Sequence, residues 1–281
     1  MRLGQIRFAH KTTAAVFEGE LARPVPGYQL VELIRKAETE AVPLTALALE
    51  MASHHPEPAA PALPICPVEV WACGCTYAPS ASFRDSQHGE VEGIYAYVYR
   101  QPRPEIFFKG TARVCVGPGQ PIGIRADSRF TAPEPELALV LGGKGRILGY
   151  TLANDVSAWD IERENPLYLP QSKVYSGCCA LGPVIVTADE LKDPYQLDMT
   201  CTISRGGETV FAGSVSTASL QRKLEELVGY LLRANPVPAG SVLLTGTGII
   251  VPEEAALKPG DIVSIRVAEI GVLANPAAVV E

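Results

Sequence analysis

Apolar residues recur at helical spacing in two parts of the chain. Leu30, Leu33 and Ile34 predict an amphipathic helix over residues 28–38. Leu220, Leu224, Leu227, Val228, Leu231 and Leu232 predict a second over 216–234, with Gln221, Arg222, Glu225 and Glu226 opposite. Asn235-Pro-Val-Pro stops that second helix. Elsewhere the apolar residues fall in short runs, at 68–73, 105–109, 137–141, 147–153 and 241–245, of strand length and rich in Val, Leu and Ile. Residues 1 to about 64 read as a small appendage of a few strands and the first helix. The proline-rich stretch 54–64 reads as a linker or an extended crossing segment. Residues 78–101 are polar and weakly patterned.

Three carboxylates stand beside this strand-like sequence. In Thr131-Ala-Pro-Glu-Pro-Glu-Leu-Ala-Leu-Val-Leu, Glu134 and Glu136 are two apart at the start of an apolar run, so extended backbone aims both at one face. Asp155 closes the next run, where a strand gives way to a loop or helix. An all-oxygen donor set suits a hard cation, Mg²⁺ first, with Mn²⁺ or Ca²⁺ as substitutes. Ser157 and Asp160 fit the S-x-x-D capping box of a helix over 158–164, stopped by Asn165-Pro166. The glycine-rich turn Gly246-Thr247-Gly248 can point backbone N–H groups at an anion such as a substrate carboxylate. Lys109 and Arg103 are further cations that could bind such a group, or be ordinary surface charges.

Composition narrows the classes. With 281 residues, 47% hydrophobic and 20% charged, the chain can bury a substantial core as one large domain and a small one. A net charge of −7 with no Lys/Arg run gives no footprint for nucleic acid or an anionic membrane. No apolar stretch is long enough to span a bilayer, and the first residues carry too short an apolar run for a secretory signal, so a cytoplasmic protein is expected. Seven cysteines, among them Cys73-Gly-Cys75 and Cys178-Cys179, lack paired zinc spacing and read as buried small residues in a reducing compartment. His54 and His55 are adjacent, poor geometry for two ligands on one face, and read as surface loop.

The E-x-E strand followed by Gly149-Tyr-Thr-Leu-Ala-Asn-Asp-Val-Ser-Ala-Trp-Asp160 resembles the fumarylacetoacetate hydrolase superfamily. Lys173 ahead of Ala180-Leu-Gly-Pro-Val-Ile-Val186, Leu243-Leu-Thr-Gly-Thr-Gly248, Leu257-Lys-Pro-Gly-Asp261 and Ile270-Gly-Val-Leu-Ala-Asn-Pro276 agree in order and spacing. The resemblance implies an α+β fold, a mixed β-roll over 66–281 with a small N-terminal α/β domain and linker over 1–65, assembled as a homodimer or higher homo-oligomer. It implies a 2-oxo acid substrate chelating a metal on Glu134, Glu136 and Asp155, reacting through a metal-stabilised enolate. Lys173 is the expected general acid/base. Substrate contacts are expected from Lys109, Ser80, Asp160, Gly246 and Thr247, under a lid within 78–101.

Two departures bear on the reaction. Hydrolytic members carry a histidine in an N-Y-x-x-H segment, where this chain has Thr76-Tyr-Ala-Pro-Ser80, and Trp159 replaces a usual arginine. His88 lies downstream and could substitute only if its loop placed it. The missing histidine argues against carbon–carbon bond hydrolysis. Glu105, in Arg103-Pro-Glu-Ile-Phe-Phe-Lys109, and the segment 164–175 resemble the branch that dehydrates 2-keto-3-deoxy-D-arabonate to 2,5-dioxopentanoate, with Glu105 and Lys173 dividing the proton transfers. The alternatives are another 2-oxo acid enzyme of the superfamily (acylpyruvate hydrolase, decarboxylase or isomerase) and a non-catalytic 2-oxo acid binding protein.

Overall fold

A computed structural model describes residues 1–78 and 94–281. Strands dominate it, in an 11-stranded mixed sheet, a five-stranded sheet and a two-stranded ribbon. The large sheet runs Glu57–Pro58, Leu21–Val25, Lys11–Glu18, Arg2–Phe8, Cys179–Thr187, Ile147–Asp155, Pro135–Leu141, Ser241–Leu244, Val70–Gly74, Glu105–Gly110, with Cys115–Val116 beside Cys179–Thr187. The α+β, strand-rich architecture expected from the sequence is the one observed.

The N-terminal strands pair directly into that sheet, Arg2 opposite Val186 and Leu3 opposite Ile185. The proline-rich segment crosses beside them, held by the Ala62 N–H to Gln5 O (2.8 Å) and by the Gln5 side-chain amide to Leu63 O (2.8 Å). The first helix forms at Leu30–Thr39, and its N-terminus is closed by a capping box between Gln29 and Glu32. Leu30, Val31, Leu33, Ile34 and Ala37 are its buried face, packed into one of the two large cores.

The second helix is shorter than the periodicity suggests. It spans Leu224–Leu231 and buries Leu224, Leu227, Val228 and Leu231. Ser216 belongs instead to the strand Glu208–Ser216, whose hydrogen bonds to Asp198–Arg205 compete for the same backbone, and Leu220 lies in the turn before the helix. Leu220 still packs on the core, so helical spacing of apolar residues continued past the helix itself.

Centrally, Pro135–Leu141 is buried at every position and Ile147–Asp155 at all but its first two. Both faces of these strands are covered, so their polar residues are costly to bury without partners.

Candidate active site

Antiparallel register explains why three distant carboxylates meet. Pro135 pairs with Asn154 and Glu136 with Ala153. Continuing that register by one residue sets Glu134 opposite Asp155, where the Asp155 N–H donates to Glu134 O at 2.9 Å. The Glu134 N–H donates to Asn154 Oδ1 at 3.0 Å, which fixes the start of the strand. Residues two apart share a face, as do residues directly opposite, so Glu134, Glu136 and Asp155 converge. One oxygen from each lies within 4.8 Å of the others, and all three residues are buried. Asp155 is the last residue of its strand, as the sequence indicated.

Two buried lysines offset this negative charge. Lys173 Nζ donates to Ser157 Oγ (2.7 Å), Glu134 Oε1 (2.9 Å) and Asp155 Oδ2 (3.2 Å). Lys109, with no exposed surface, sets Nζ 2.6 Å from Asp155 Oδ1 and donates to the backbone oxygens of Val156 (3.1 Å) and Lys173. Burial is the largest single influence on Lys109 and lowers its pKa, but the charge and hydrogen bond of Asp155, together with the neighbouring Cys178 and Cys179, outweigh it and hold the ammonium above its ordinary range. The expectation that Lys109 binds a substrate carboxylate is therefore corrected. Its three donors face protein oxygens, and its role is to hold Asp155.

Glu136 carries the clearest sign of what this cluster can bind. Its Oε2 accepts the Gly246 N–H, whereas Oε1 is buried with no hydrogen-bond partner among the described residues. Burial, and next the charges of Asp155 and Glu134, push its carboxyl well above the usual range. A carboxylate oxygen orphaned beside two other carboxylates is a cation ligand in waiting, and the oxygen-only donors fit Mg²⁺. Glu134, Glu136 and Asp155 would hold it.

Gly246 also departs from expectation. Its φ is +92°, and a Cβ there would lie 2.0 Å from Thr76 Oγ1, so only glycine brings this N–H so close to Glu136. The N–H is directed at the Glu136 carboxylate and not at open space where a substrate anion could take it. Thr247 is likewise inward-looking: its hydroxyl accepts the Ile249 N–H (3.2 Å) and donates to Ile249 O (3.3 Å).

Glu105 begins the strand Glu105–Gly110 and pairs with Gly74, while Phe107 pairs with Ala72. Alternation puts Glu105 and Phe107 on one face, and the Phe107 ring centroid lies 5.4 Å from Lys173 Nζ. The Cys73 thiol is raised well above its ordinary pKa by burial, then by the charges of Glu136 and Glu105. One thiol thus feels both carboxylates. Glu105 also lines a cleft of about 690 Å³ together with Arg103, Tyr230 and Arg233. Arg103 stacks over Tyr230 at 5.6 Å.

Asp160 is directed elsewhere. Its oxygens accept Ser128 Oγ–H (2.6 Å) and the Arg129 N–H (2.9 Å), pinning the loop before Phe130. The capping box with Ser157 does not form. The helix is Trp159–Glu164 with Ala158 at its N-cap, and Ser157 sits in the short strand Ser157–Ala158. Ser157 Oγ instead donates to Asp155 O (2.9 Å) and receives Lys173. Ser80 and His88 lie outside the described residues.

Sequence reading also passed over Trp159 and Glu162 as site residues. The Trp159 indole N–H donates to Glu134 Oε1 at 2.6 Å, and the buried Glu162 lies 4.0 Å from Lys173 Nζ. A signal existed for the first: an aromatic donor at the position where the resemblance has an arginine.

Residues 91–278 match the family model described as fumarylacetoacetate (FAA) hydrolase C-terminal. Over 216 residues the chain is 52% identical to a 2-dehydro-3-deoxy-D-arabinonate dehydratase of Saccharolobus solfataricus, covering 76% of this chain and 72% of that protein. It is 44% identical over 218 residues to a probable 2-keto-3-deoxyxylonate dehydratase of Haloferax volcanii, covering 78% and 75%. Among solved structures, 2-keto-3-deoxy-D-arabinonate dehydratase complexed with magnesium and 2,5-dioxopentanoate superposes with a TM-score of 0.83 at 39% identity over 100% of both chains. The chain belongs to the fumarylacetoacetate hydrolase family.

Proposed function

We propose that this chain is a Mg²⁺-dependent hydro-lyase converting 2-keto-3-deoxy-D-arabinonate to 2,5-dioxopentanoate. The observation that carries this is the buried Glu134–Glu136–Asp155 cluster, with its orphaned Glu136 oxygen and Lys173 against it, in a chain similar to a dehydratase whose structure holds magnesium and that product. When bound, Mg²⁺ supplies Lewis acidity to the oxygens of a 2-oxo acid, which acidifies the proton on C3.

The chain's own groups then have separable tasks. Lys109 holds Asp155, Gly246 holds Glu136, and Trp159 holds Glu134, so the cluster is fixed before substrate arrives. Lys173 and Glu105 divide the two proton transfers, removal of the C3 proton and protonation of the departing C4 hydroxyl. Mn²⁺ or Ca²⁺ would substitute for Mg²⁺. The same reading makes the protein a cytoplasmic homodimer or higher homo-oligomer, with residues 66–281 carrying catalysis and 1–65 a small N-terminal unit. Its seven cysteines form no disulfide, in keeping with a reducing compartment.

Purified protein with Mg²⁺ and 2-keto-3-deoxy-D-arabinonate should yield 2,5-dioxopentanoate, a reaction abolished by EDTA and restored by Mg²⁺, while acylpyruvates should be poor substrates. Efficient acylpyruvate cleavage with no turnover of the sugar acid would replace this reading with hydrolysis.

A further inference from the structure

The Cys73-Gly74-Cys75 motif has no zinc spacing and no disulfide, yet its last two residues meet Glu105. Gly74 is the cross-strand partner of Glu105, and a Cβ on it would lie 2.1 Å from Glu105 Oε2 and 2.6 Å from Cδ. The Glu105 carboxylate therefore lies across the bare backbone of Gly74. The buried Cys75 thiol is 3.5 Å from the same Oε2 and donates to it.

Cys75 reaches that oxygen through unusual backbone. Its φ is +53°, in the left-handed region that a residue with a Cβ seldom adopts. The kink is held from the next residue: Thr76 Oγ1 donates to Thr245 O (2.8 Å), and Thr76 O accepts the Gln221 N–H (3.0 Å). Thr245 immediately precedes Gly246, the residue bound to Glu136. One short stretch of backbone thus references Glu105 to the metal ligand Glu136.

We propose that Gly74 and Cys75 form the seat of Glu105, with Gly74 providing the clearance and the Cys75 thiol orienting the carboxylate toward the substrate. Both are positioning residues, and the proposal rests on the proton-transfer role of Glu105 given above. A hydrogen bond donated to a carboxylate favours its charged form, so loss of the thiol raises the pKa of Glu105. Whichever limb of the pH profile belongs to Glu105 then moves to higher pH, whether it serves as acid or base.

The test is the pH dependence of kcat/KM in wild type and in Glu105→Gln, Cys75→Ala, Cys75→Ser, Cys75→Gly and Gly74→Ala, with Mg²⁺ affinity measured by calorimetry for each. Glu105→Gln should abolish one limb. Cys75→Ala should move that limb up by roughly half to one pH unit, the worth of a hydrogen bond to a charged group. Cys75→Ser should restore it. Cys75→Gly relieves the left-handed strain and should keep or raise Tm while still moving the limb, which a structural role for the side chain would not produce. Gly74→Ala displaces the far end of a flexible side chain, so it should fold and bind Mg²⁺ normally but lose roughly a hundredfold in turnover. If the limb vanishes in Glu105→Gln but stays in place in Cys75→Ala and Cys75→Gly, and Gly74→Ala turns over within twofold of wild type, the seat is wrong and the role of Glu105 stands. If Glu105→Gln keeps the full profile, the proton-transfer role falls and the seat falls with it.

Discussion

The two sheets treat charge in opposite ways. In the five-stranded sheet, Asp198–Arg205 and Ile262–Val267 alternate buried with less buried positions, and charges such as Asp198 and Arg266 occupy the exposed side. In the central strands of the large sheet both faces are covered, yet Glu134, Glu136 and Asp155 lie in or beside them, fully enclosed. A charge on an exposed face is solvated and costs nothing to keep. A charge at a doubly covered strand end persists only with partners, so its presence there marks chemistry.

The largest effect should come from removing the ammonium that touches most of the cluster. Lys173→Met is expected to keep the fold and bind Mg²⁺ while turnover falls by roughly two to four decades, as for loss of a general acid/base. Steady-state and metal-binding assays on one preparation check this, and normal turnover would reduce Lys173 to a charge-balancing role.

Lys109→Met separates stability from catalysis. Removing it leaves Asp155 buried without its nearest cation, and breaking a buried pair costs about 3–5 kcal/mol. Denaturant unfolding of metal-free protein should show that loss, and Mg²⁺ should recover part of it. A change below about 1 kcal/mol would place the Lys109–Asp155 contact on a par with an exposed ion pair.

Next is the pH behaviour of the metal-free site. The Glu136 carboxyl is raised by burial and by its neighbours, so it contributes stability at pH below its unfolded pKa, and that contribution is lost as pH rises through the folded pKa. Metal-free protein should therefore destabilise with rising pH in that window, whereas Mg²⁺-loaded protein should not. Binding of Mg²⁺ within the window should release a proton, visible as a buffer-dependent enthalpy in calorimetry. A buffer-independent enthalpy would mean that Glu136 is already ionised.

At the small end, Arg266→Ala on the exposed face of the five-stranded sheet should change stability by no more than about 0.5 kcal/mol and leave metal affinity untouched. A larger effect would undo the contrast between the sheets.

Much of this was legible in the sequence because strand geometry is local. The two-residue spacing of Glu134 and Glu136, and Asp155 at the end of the next apolar run, are properties of single strands, and pairing only had to bring them opposite. Lys109, Gly246 and Ser157 were misread for a common reason. Each lies in a local pattern with an ordinary meaning, a strand-end cation, an anion-binding turn and a capping box, and each was reassigned by a partner far along the chain. The capping box failed because Ser157 is drawn into pairing with Ala132, which leaves its hydroxyl facing Lys173. Likewise, the seat of Glu105 depends on a cross-strand pair and a left-handed residue that composition does not announce.

The central claim is that this carboxylate cluster is a metal centre, and titration of Mg²⁺ into wild-type and Glu136→Gln protein tests it most directly. Wild type should bind one Mg²⁺ per chain, and Glu136→Gln, which removes the charge behind the orphaned oxygen but keeps its shape, should weaken binding by roughly a hundredfold or more. Equal affinity in the two proteins, with activity surviving chelation, would contradict the account.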